Sequence, residues 1–242
     1  MTDLTERFAK EAPSGHPNVQ PRDAATLILL DRSGPVPKVL MGRRHHGHVF
    51  LPGRFVFPGG AIDKQDRLMA AGTPLDPRAE AKLMRHVKRP TPAKARALAM
   101  TAIRETFEET GLLLGTRRDD APRAPQGPWS TFAEHHIHPD LGGIHFIARA
   151  ITPPGRSRRY DTRFFTADAT AIAHRTEGVI GPEAELVELV WLPLDETKRL
   201  ELMAITEMVL ETLNEQIAAG FSHDLPVPFY RMLHGRRIRE ML

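Results

Sequence analysis

The sequence predicts an α/β fold, an α/β/α sandwich around a mixed β-sheet, and two observations carry that reading. Short apolar runs lie on both sides of one long helical segment, which starts at a Thr-Pro pair near Thr91 and stops at Gly111. A second long amphipathic segment follows near the end of the chain. With 242 residues, 41% of them hydrophobic, the chain can bury a sizeable core as one main domain.

Residues 1–20 mix Pro, Gly and charge without periodicity and read as an N-terminal arm, so the domain is expected over 21–220. "AATLILL" (24–30) and "KVLMGRR" (38–44), joined by the turn-forming "DRSGPVP", read as a hairpin. "FVFPGG" (55–60) reads as a third strand closed by Pro58 and a glycine pair. Residues 67–94 read as an insertion carrying a short helix at "EAKLMRHVKR". After the long helix, "DDAPRAPQGPW" reads as a surface loop and "STFAEHH" as neutral toward helix formation. "GIHFIARAIT", "RYDTRFFTADA" and "ELVELVWLPL" supply further strands. "LDETKRLELMAITEMVLETLNEQIAAG" reads as one closing helix, with Leu202, Ile205, Met208, Val209 and Leu213 at helical spacing. That helix can complete the core or form a homodimer contact. Residues 221–242 read as a basic tail.

The chain has no cysteine, which removes disulfides, thiolate metal sites and thiol nucleophiles together. Any metal must therefore sit on oxygen or nitrogen. No stretch approaches the roughly 18 apolar residues of a membrane span, and "MTDLTERFAKEAP" is too charged for a secretory leader. A cytoplasmic protein without a membrane partner is expected. The net charge is +3, with arginine concentrated at "GRSRR" and "HGRRIRE". No helix-turn-helix, zinc finger or RNA-stacking pattern accompanies these arginines, so no nucleic-acid partner is expected. Solvated charge, or contacts to a small anionic ligand, accounts for them.

"RETFEETGLL" (104–113) sets an electrostatic problem. On a helix, Glu105, Glu108 and Glu109 fall within one sector of roughly 100°, opposite Ala99, Met100, Ile103 and Phe107. Glu108 and Glu109 also occupy the last turn, where the helix dipole disfavours anions by about 0.3–1 kcal/mol each. Either the glutamates are solvated and paired with Arg104 and neighbouring lysines, or a cation compensates them. A hard divalent ion such as Mg²⁺ takes oxygen ligands and commonly uses one or two carboxylates plus substrate phosphates.

The string "RETFEETGL" resembles the core of the Nudix box, G-x5-E-x7-R-E-U-x-E-E-x-G-U with U a bulky apolar residue. Arg104, Glu105, Glu108, Glu109, Gly111 and Leu112 match it, while Thr106 stands at the first U. Upstream, "FPGGAIDKQD" resembles the opening of the box, with Asp66 where the family usually has Glu. The seven-residue spacer has become about 37 residues, an insertion whose loop-closure cost grows only logarithmically. The resemblance implies a Nudix fold and an active hydrolase that cleaves a diphosphate linked to another moiety with Mg²⁺ or Mn²⁺. It implies that Glu108 and Glu109 are metal ligands, that Glu105 is a ligand or the base that prepares a water, and that the carbonyl of Gly59 or Gly60 adds a ligand. Arg104 would orient the glutamates, and Asp66 would hold a mainly structural place. A non-catalytic nucleotide-sensing module is the competing reading, since fold alone does not guarantee activity.

Substrate choice is expected to lie outside the box. "VLMGRRHHGHVFLPGRFVFPGG" partly resembles the motif preceding the box in coenzyme A diphosphatases, through Arg44, Gly53, Phe55, Phe57 and Pro58, although His48 and Val49 stand where a second arginine is usual. "YDTRFFTA" (160–167) and "ELVELVWLPLDE" (185–196) resemble segments of a mammalian and bacterial branch with a long insertion inside the box, whose members include acyl-CoA and CoA hydrolases. The resemblance therefore implies CoA or acyl-CoA as substrate, with ADP-ribose, dinucleotides and other nucleoside diphosphate derivatives as alternatives. Arg43, Arg44 and Arg54 are candidate phosphate contacts or members of a solvated strand edge. One of Phe164 and Phe165 is expected in the core, with Phe165 a candidate substrate contact, and Glu183 or Glu185 is a candidate additional acid. The "HHGH" run (45–48) reads as a loop of exposed or ligand-facing histidines, because neighbouring positions on an extended chain point to alternating sides.

Overall fold

A computed structural model describes residue 15, residues 19–45, residue 47 and residues 53–242. Nearly all of the N-terminal arm, together with His46, His48 and Val49, lies outside the described residues. The long first strand, β1 (Arg22–Asp31), organises the rest. Its apolar residues alternate between two cores, as the period of two along a strand requires. Ala25, Leu27 and Leu29 enter one core, and Ile28 and Leu30 enter the other.

β1 forms the predicted hairpin with β2 (Lys38–Arg44), pairing Leu30 with Val39. The predicted third strand is two short ones: β3 (Phe55–Val56) pairs with β2 and β4 (Gly59–Ala61) pairs with β1. Pro58, which has no N–H to give a ladder, stands between them. Its carbonyl instead accepts from the Leu27 N–H at 3.1 Å. β8 (His145–Ile151), β9 (Tyr160–Asp168) and β11 (Leu186–Pro193) follow the expected strands. Two small ladders, β5 (Leu112–Leu114) with β10 (Ile172–Arg175) and β6 (Thr116–Arg117) with β7 (Ile137–His138), stand apart from the main sheet.

Residues 221–242 are not a tail. β12 (Pro228–Leu233) and β13 (Arg236–Met241) extend the main sheet, whose order is β11-β2-β1-β9-β8-β12-β13 with β3 and β4 alongside. The arginines of "HGRRIRE" obscure alternation with partly buried residues such as Ile238. β1 runs parallel to β9, and β8 parallel to β12, so the sheet is mixed.

One face carries α1 (Pro77–Met84), α2 (Pro92–Thr110) and α3 (Pro128–Glu134), and the other carries α4 (Ala204–Ala218). α2 begins and ends as its sequence predicts. The Thr91 hydroxyl accepts from the Lys94 N–H at 3.1 Å, and Gly111 takes φ 76°, a left-handed stop that glycine adopts without a Cβ clash. The closing helix is shorter than expected, because a 3-10 turn at Glu196–Arg199 and an extended link precede α4. "STFAEHH" does enter a helix, α3, anchored by the fully buried Trp129 and Phe132, so tertiary burial overrides local neutrality. Residues 67–91 join the core as well: Met69, Leu75, Ala79 and Leu83 pack with Ala95 and Leu98 of α2. They brace the N-terminal half of that helix, away from the glutamates in its last turns. No described helix is long and apolar enough to cross a membrane.

Candidate active site

β1 presents one edge to two partners, β4 at Ala24–Thr26 and β2 at Leu30–Asp31, and the last turns of α2 lie beside β4. That approach leaves no room for a side chain at Gly59, which faces backbone, and one at Gly60 would displace the Glu105 carboxyl. A Cβ on Gly60 would lie 2.5 Å from the Glu105 carboxyl carbon, and one on Gly59 would lie 2.6 Å from the Ala25 carbonyl oxygen.

Arg104, 6% exposed, holds the centre of this arrangement. Its Nε donates to Asp66 Oδ1 at 2.8 Å, and its Nη2 donates to Asp66 Oδ2 at 3.1 Å and to the Ala61 carbonyl at 3.0 Å. Its Nη1 donates to Glu105 at 2.8 Å and to Glu108 at 3.1 Å. All five N–H groups of the planar fork are therefore used, which a lysine could not reproduce. Asp66, wholly buried, also accepts from the Trp129 indole N–H at 3.1 Å and the Asp63 N–H at 2.9 Å, with the Thr101 hydroxyl 2.8 Å away. Thr106 fits a buried helix position because its hydroxyl donates to the Ala102 carbonyl at 2.8 Å.

The remaining carboxylates are not neutralised to the same degree. Burial pushes Glu105 up to about 7, with Arg104 opposing and the Glu108 charge adding to the rise. Burial pushes Glu109 well above the usual carboxylate range, reinforced by Glu185 and Glu105 and opposed by Arg44 and the Gly59 N–H. Three carboxylates, Asp66, Glu105 and Glu108, thus converge on one guanidinium, while Glu109 is opposed by Arg44 instead.

β11 brings Glu185 to this group, where it meets Arg44 Nη2 at 2.5 Å. Arg43 is paired with Glu188 at 2.8 Å on the same two strands. Arg54 is exposed and gives its carbonyl to the Arg44 N–H at 3.0 Å, while Glu183 is exposed in the turn before β11. Phe165 corrects the sequence reading: it is fully buried in the core beneath α2, its ring tilted against that of Phe146, so it cannot face a substrate. Beside Glu108 lies a cleft of about 330 Å³ whose walls include Arg22, Gln65 and Pro128. Sequence reasoning missed these three, because they are far apart in the chain and carry no motif.

Among solved structures, a NUDIX hydrolase from Alicyclobacillus acidocaldarius is 30% identical, matching 84% of this chain and 96% of that one at a TM-score of 0.58. The chain belongs to the Nudix hydrolases. It is a pyrophosphohydrolase built on the mixed α/β Nudix fold. The NUDIX domain of Shewanella oneidensis NrtR, complexed with ADP ribose, is 15% identical over 89% of this chain and 99% of that one, with a TM-score of 0.46. A Nudix hydrolase from M. Smegmatis, RenU, is 18% identical over 86% of this chain and 94% of that one, with a TM-score of 0.43. No protein-family profile matches the chain.

Among the described residues no three His, Asp or Glu side chains already form a metal cage. Arg104 draws Glu105 and Glu108 toward itself, and the Gly59 N–H engages Glu109. The donor set nonetheless fits a hard cation. It offers carboxylate oxygens and the strand backbone at Gly60, in a cluster whose anionic charge Arg104 and Arg44 offset only in part.

Proposed function

We propose that this Nudix enzyme hydrolyses the diphosphate bond of a nucleoside diphosphate joined to another moiety, with Mg²⁺ or Mn²⁺ held by Glu105, Glu108, Glu109 and the Gly60 carbonyl. The observation that carries the proposal is the convergence of Glu105 and Glu108 on one arginine saturated by Asp66, with Glu109 engaged by the N–H of the adjoining glycine pair. When bound, the ion neutralises phosphate charge and makes water a better nucleophile near neutral pH. The side chains do the rest. Arg104, locked by Asp66, orients Glu105 and Glu108. A water oxygen attacks one phosphorus, the bridging oxygen departs with the other phosphate, and a carboxylate takes the water proton, giving two phosphomonoesters. Glu105 serves either as a ligand of the ion or as the base that takes that proton. Glu185, tied to Arg44, is the better placed of the two candidate additional acids.

CoA or acyl-CoA is the favoured substrate, supported by the sequence around Arg44, Gly53, Phe55, Phe57 and Pro58. Arg43, Arg44 and Arg54 sit on or beside the strand that leads to the glycine pair, as phosphate contacts should. A substrate panel with product identification by mass spectrometry tests both levels. CoA yielding a 3′-phosphoadenosine nucleotide and a phosphopantetheine would support the preference, and AMP from ADP-ribose would replace it. Failure on every nucleoside diphosphate derivative with either metal would leave a nucleotide-sensing module as the better reading.

A further inference from the structure

α3 lies outside the segment that carries the carboxylates, yet a chain of hydrogen bonds runs from it to them. Trp129, in its first turn and wholly buried, donates its indole N–H to Asp66 Oδ1 at 3.1 Å. Arg104 Nε donates to the same oxygen at 2.8 Å, and Arg104 Nη2 reaches Asp66 Oδ2 at 3.1 Å. The third nitrogen of that guanidinium, Nη1, holds Glu105 at 2.8 Å and Glu108 at 3.1 Å. Three successive hydrogen bonds therefore join the indole to the two carboxylates.

The indole matters because the groups it acts through are planar and charged. The three guanidinium nitrogens of Arg104 cannot move independently, so a tilt of the Asp66 carboxylate turns the donor that Glu105 and Glu108 share. The terminal torsion of an aspartate is soft, and the donors at its two oxygens set the plane of the carboxylate. Oδ2 has the Asp63 N–H at 2.9 Å and the Thr101 hydroxyl at 2.8 Å. That hydroxyl also lies 2.8 Å from the Ala97 carbonyl and has one hydrogen for both acceptors. At Oδ1, among the described residues, the indole is the donor that does not belong to Arg104. Packing holds it in place, with the Trp129 ring 4.9 Å from that of the fully buried Phe132. Without this N–H, a wholly buried carboxylate would keep its charge with one fixed donor fewer, where water cannot take over.

We propose that Trp129 is a positioning residue for the hydrolytic reaction: acting through Asp66 and Arg104, its indole N–H fixes the carboxylates of Glu105 and Glu108. The proposal rests on the hydrolytic reading above, and its first test needs neither substrate nor metal. The chain has two tryptophans, so its indole ¹⁵N–¹H spectrum holds two signals, and the one lost in Trp129→Phe belongs to Trp129. In metal-free full-length protein that signal should move in Glu105→Gln and in Glu108→Gln, and in the parent it should move saturably on titration with Mg²⁺. The second test removes the N–H. Trp129→Phe keeps a ring in the core, and 3-benzothienylalanine at position 129, with sulfur in place of the N–H, keeps the full bicyclic shape if the phenylalanine variant fails to fold. Either change should weaken Mg²⁺ affinity in calorimetry by about tenfold and lower kcat by at least about tenfold, with KM for the diphosphate held within about twofold. Phe132→Leu disturbs the same packing without removing the hydrogen bond, and should leave Mg²⁺ affinity unchanged. An indole signal indifferent to both glutamine variants and to Mg²⁺ would overturn the proposal. So would unchanged Mg²⁺ affinity in the benzothienyl variant, or an equal loss in Phe132→Leu, which would assign Trp129 to packing alone. A parent that hydrolyses no diphosphate would sink the hydrolytic reading instead, while the indole signal would still decide whether Trp129 holds the carboxylates.

Discussion

Two buried arginine–aspartate clusters brace α2, one toward each end, and they are built on different charge balances. Toward the N-terminus, Lys94 meets Asp23 at 2.6 Å, Arg163 meets Asp23 at 2.6 Å and Asp161 at 3.2 Å, and Arg149 meets Asp161 at 2.7 Å. Three cations there face two carboxylates, and each carboxylate has two cationic neighbours. Toward the C-terminus, Arg104 faces Asp66, Glu105 and Glu108, with Glu109 beside them. Donor use differs as well: every N–H of Arg104 is taken, whereas Nε and Nη2 of Arg163 have no hydrogen-bond partner among the described residues. The N-terminal cluster compensates its own acids and ties β1, β8 and β9 to the helix. The C-terminal cluster spends its one saturated cation on positioning and leaves an anionic surplus, which the proposed metal ion would offset. A buried ion network is therefore read as structural or functional by which charges it leaves unbalanced.

The largest expected effect is on the anchor of the saturated cluster. Asp66→Asn should lower unfolding stability by about 3–5 kcal/mol in urea titrations, because it strands a buried guanidinium. A loss below about 1 kcal/mol would show that Glu105 and Glu108 suffice to hold Arg104. Next comes Glu109→Gln, which should reduce hydrolysis by more than about 100-fold, since even residues that only support a metal ligand are worth 10- to 100-fold. Its melting temperature in metal-free buffer should hold or rise, because burial disfavours the charge that the substitution removes. Turnover within a few-fold of the parent would break the functional half of the comparison.

Arg163→Met should cost less, about 1–3 kcal/mol, since Asp23 keeps Lys94 and Asp161 keeps Arg149. A penalty equal to that of Asp66→Asn would erase the distinction between the clusters. The smallest effect is a pH slope. Glu105 is raised from 4.5 to about 7, so the folded protein favours its protonated form. That contribution is fully present below about 4.5 and is lost as pH rises through about 7. The metal-free melting temperature should accordingly decline from about pH 5 to about pH 8, and less so in Glu105→Gln. Saturating Mg²⁺ should oppose the decline by binding the ionised form. Equal slopes in parent and variant would remove Glu105 as the cause.

The limits of α2 were legible in Thr91, Pro92 and Gly111, since caps and stops act through bonds a few residues away. The grouping of Glu105, Glu108 and Glu109 was legible for the same reason. Pro128 after Gly127 was an equally local helix start that loop-like composition masked, whereas the short helix expected over 80–89 is present as α1, starting three residues earlier at Pro77 after Asp76. The strands of residues 228–241 were hidden by charge, because Arg236, Arg237 and Arg239 sit on an edge strand where one side of the ladder faces water.

By itself, the sequence determined the α/β class, the carboxylate helix, the glycine pair and the kind of chemistry they support. Each of these depends on residue type and on spacings within one element. Only the tertiary structure decided that Asp66 saturates Arg104 from 38 residues away, that Glu185 rather than Glu183 meets Arg44, and that Phe165 is core while Phe164 walls a separate cavity. Those outcomes depend on strand order, register and desolvation, which arise when distant segments pack and which no local spacing encodes.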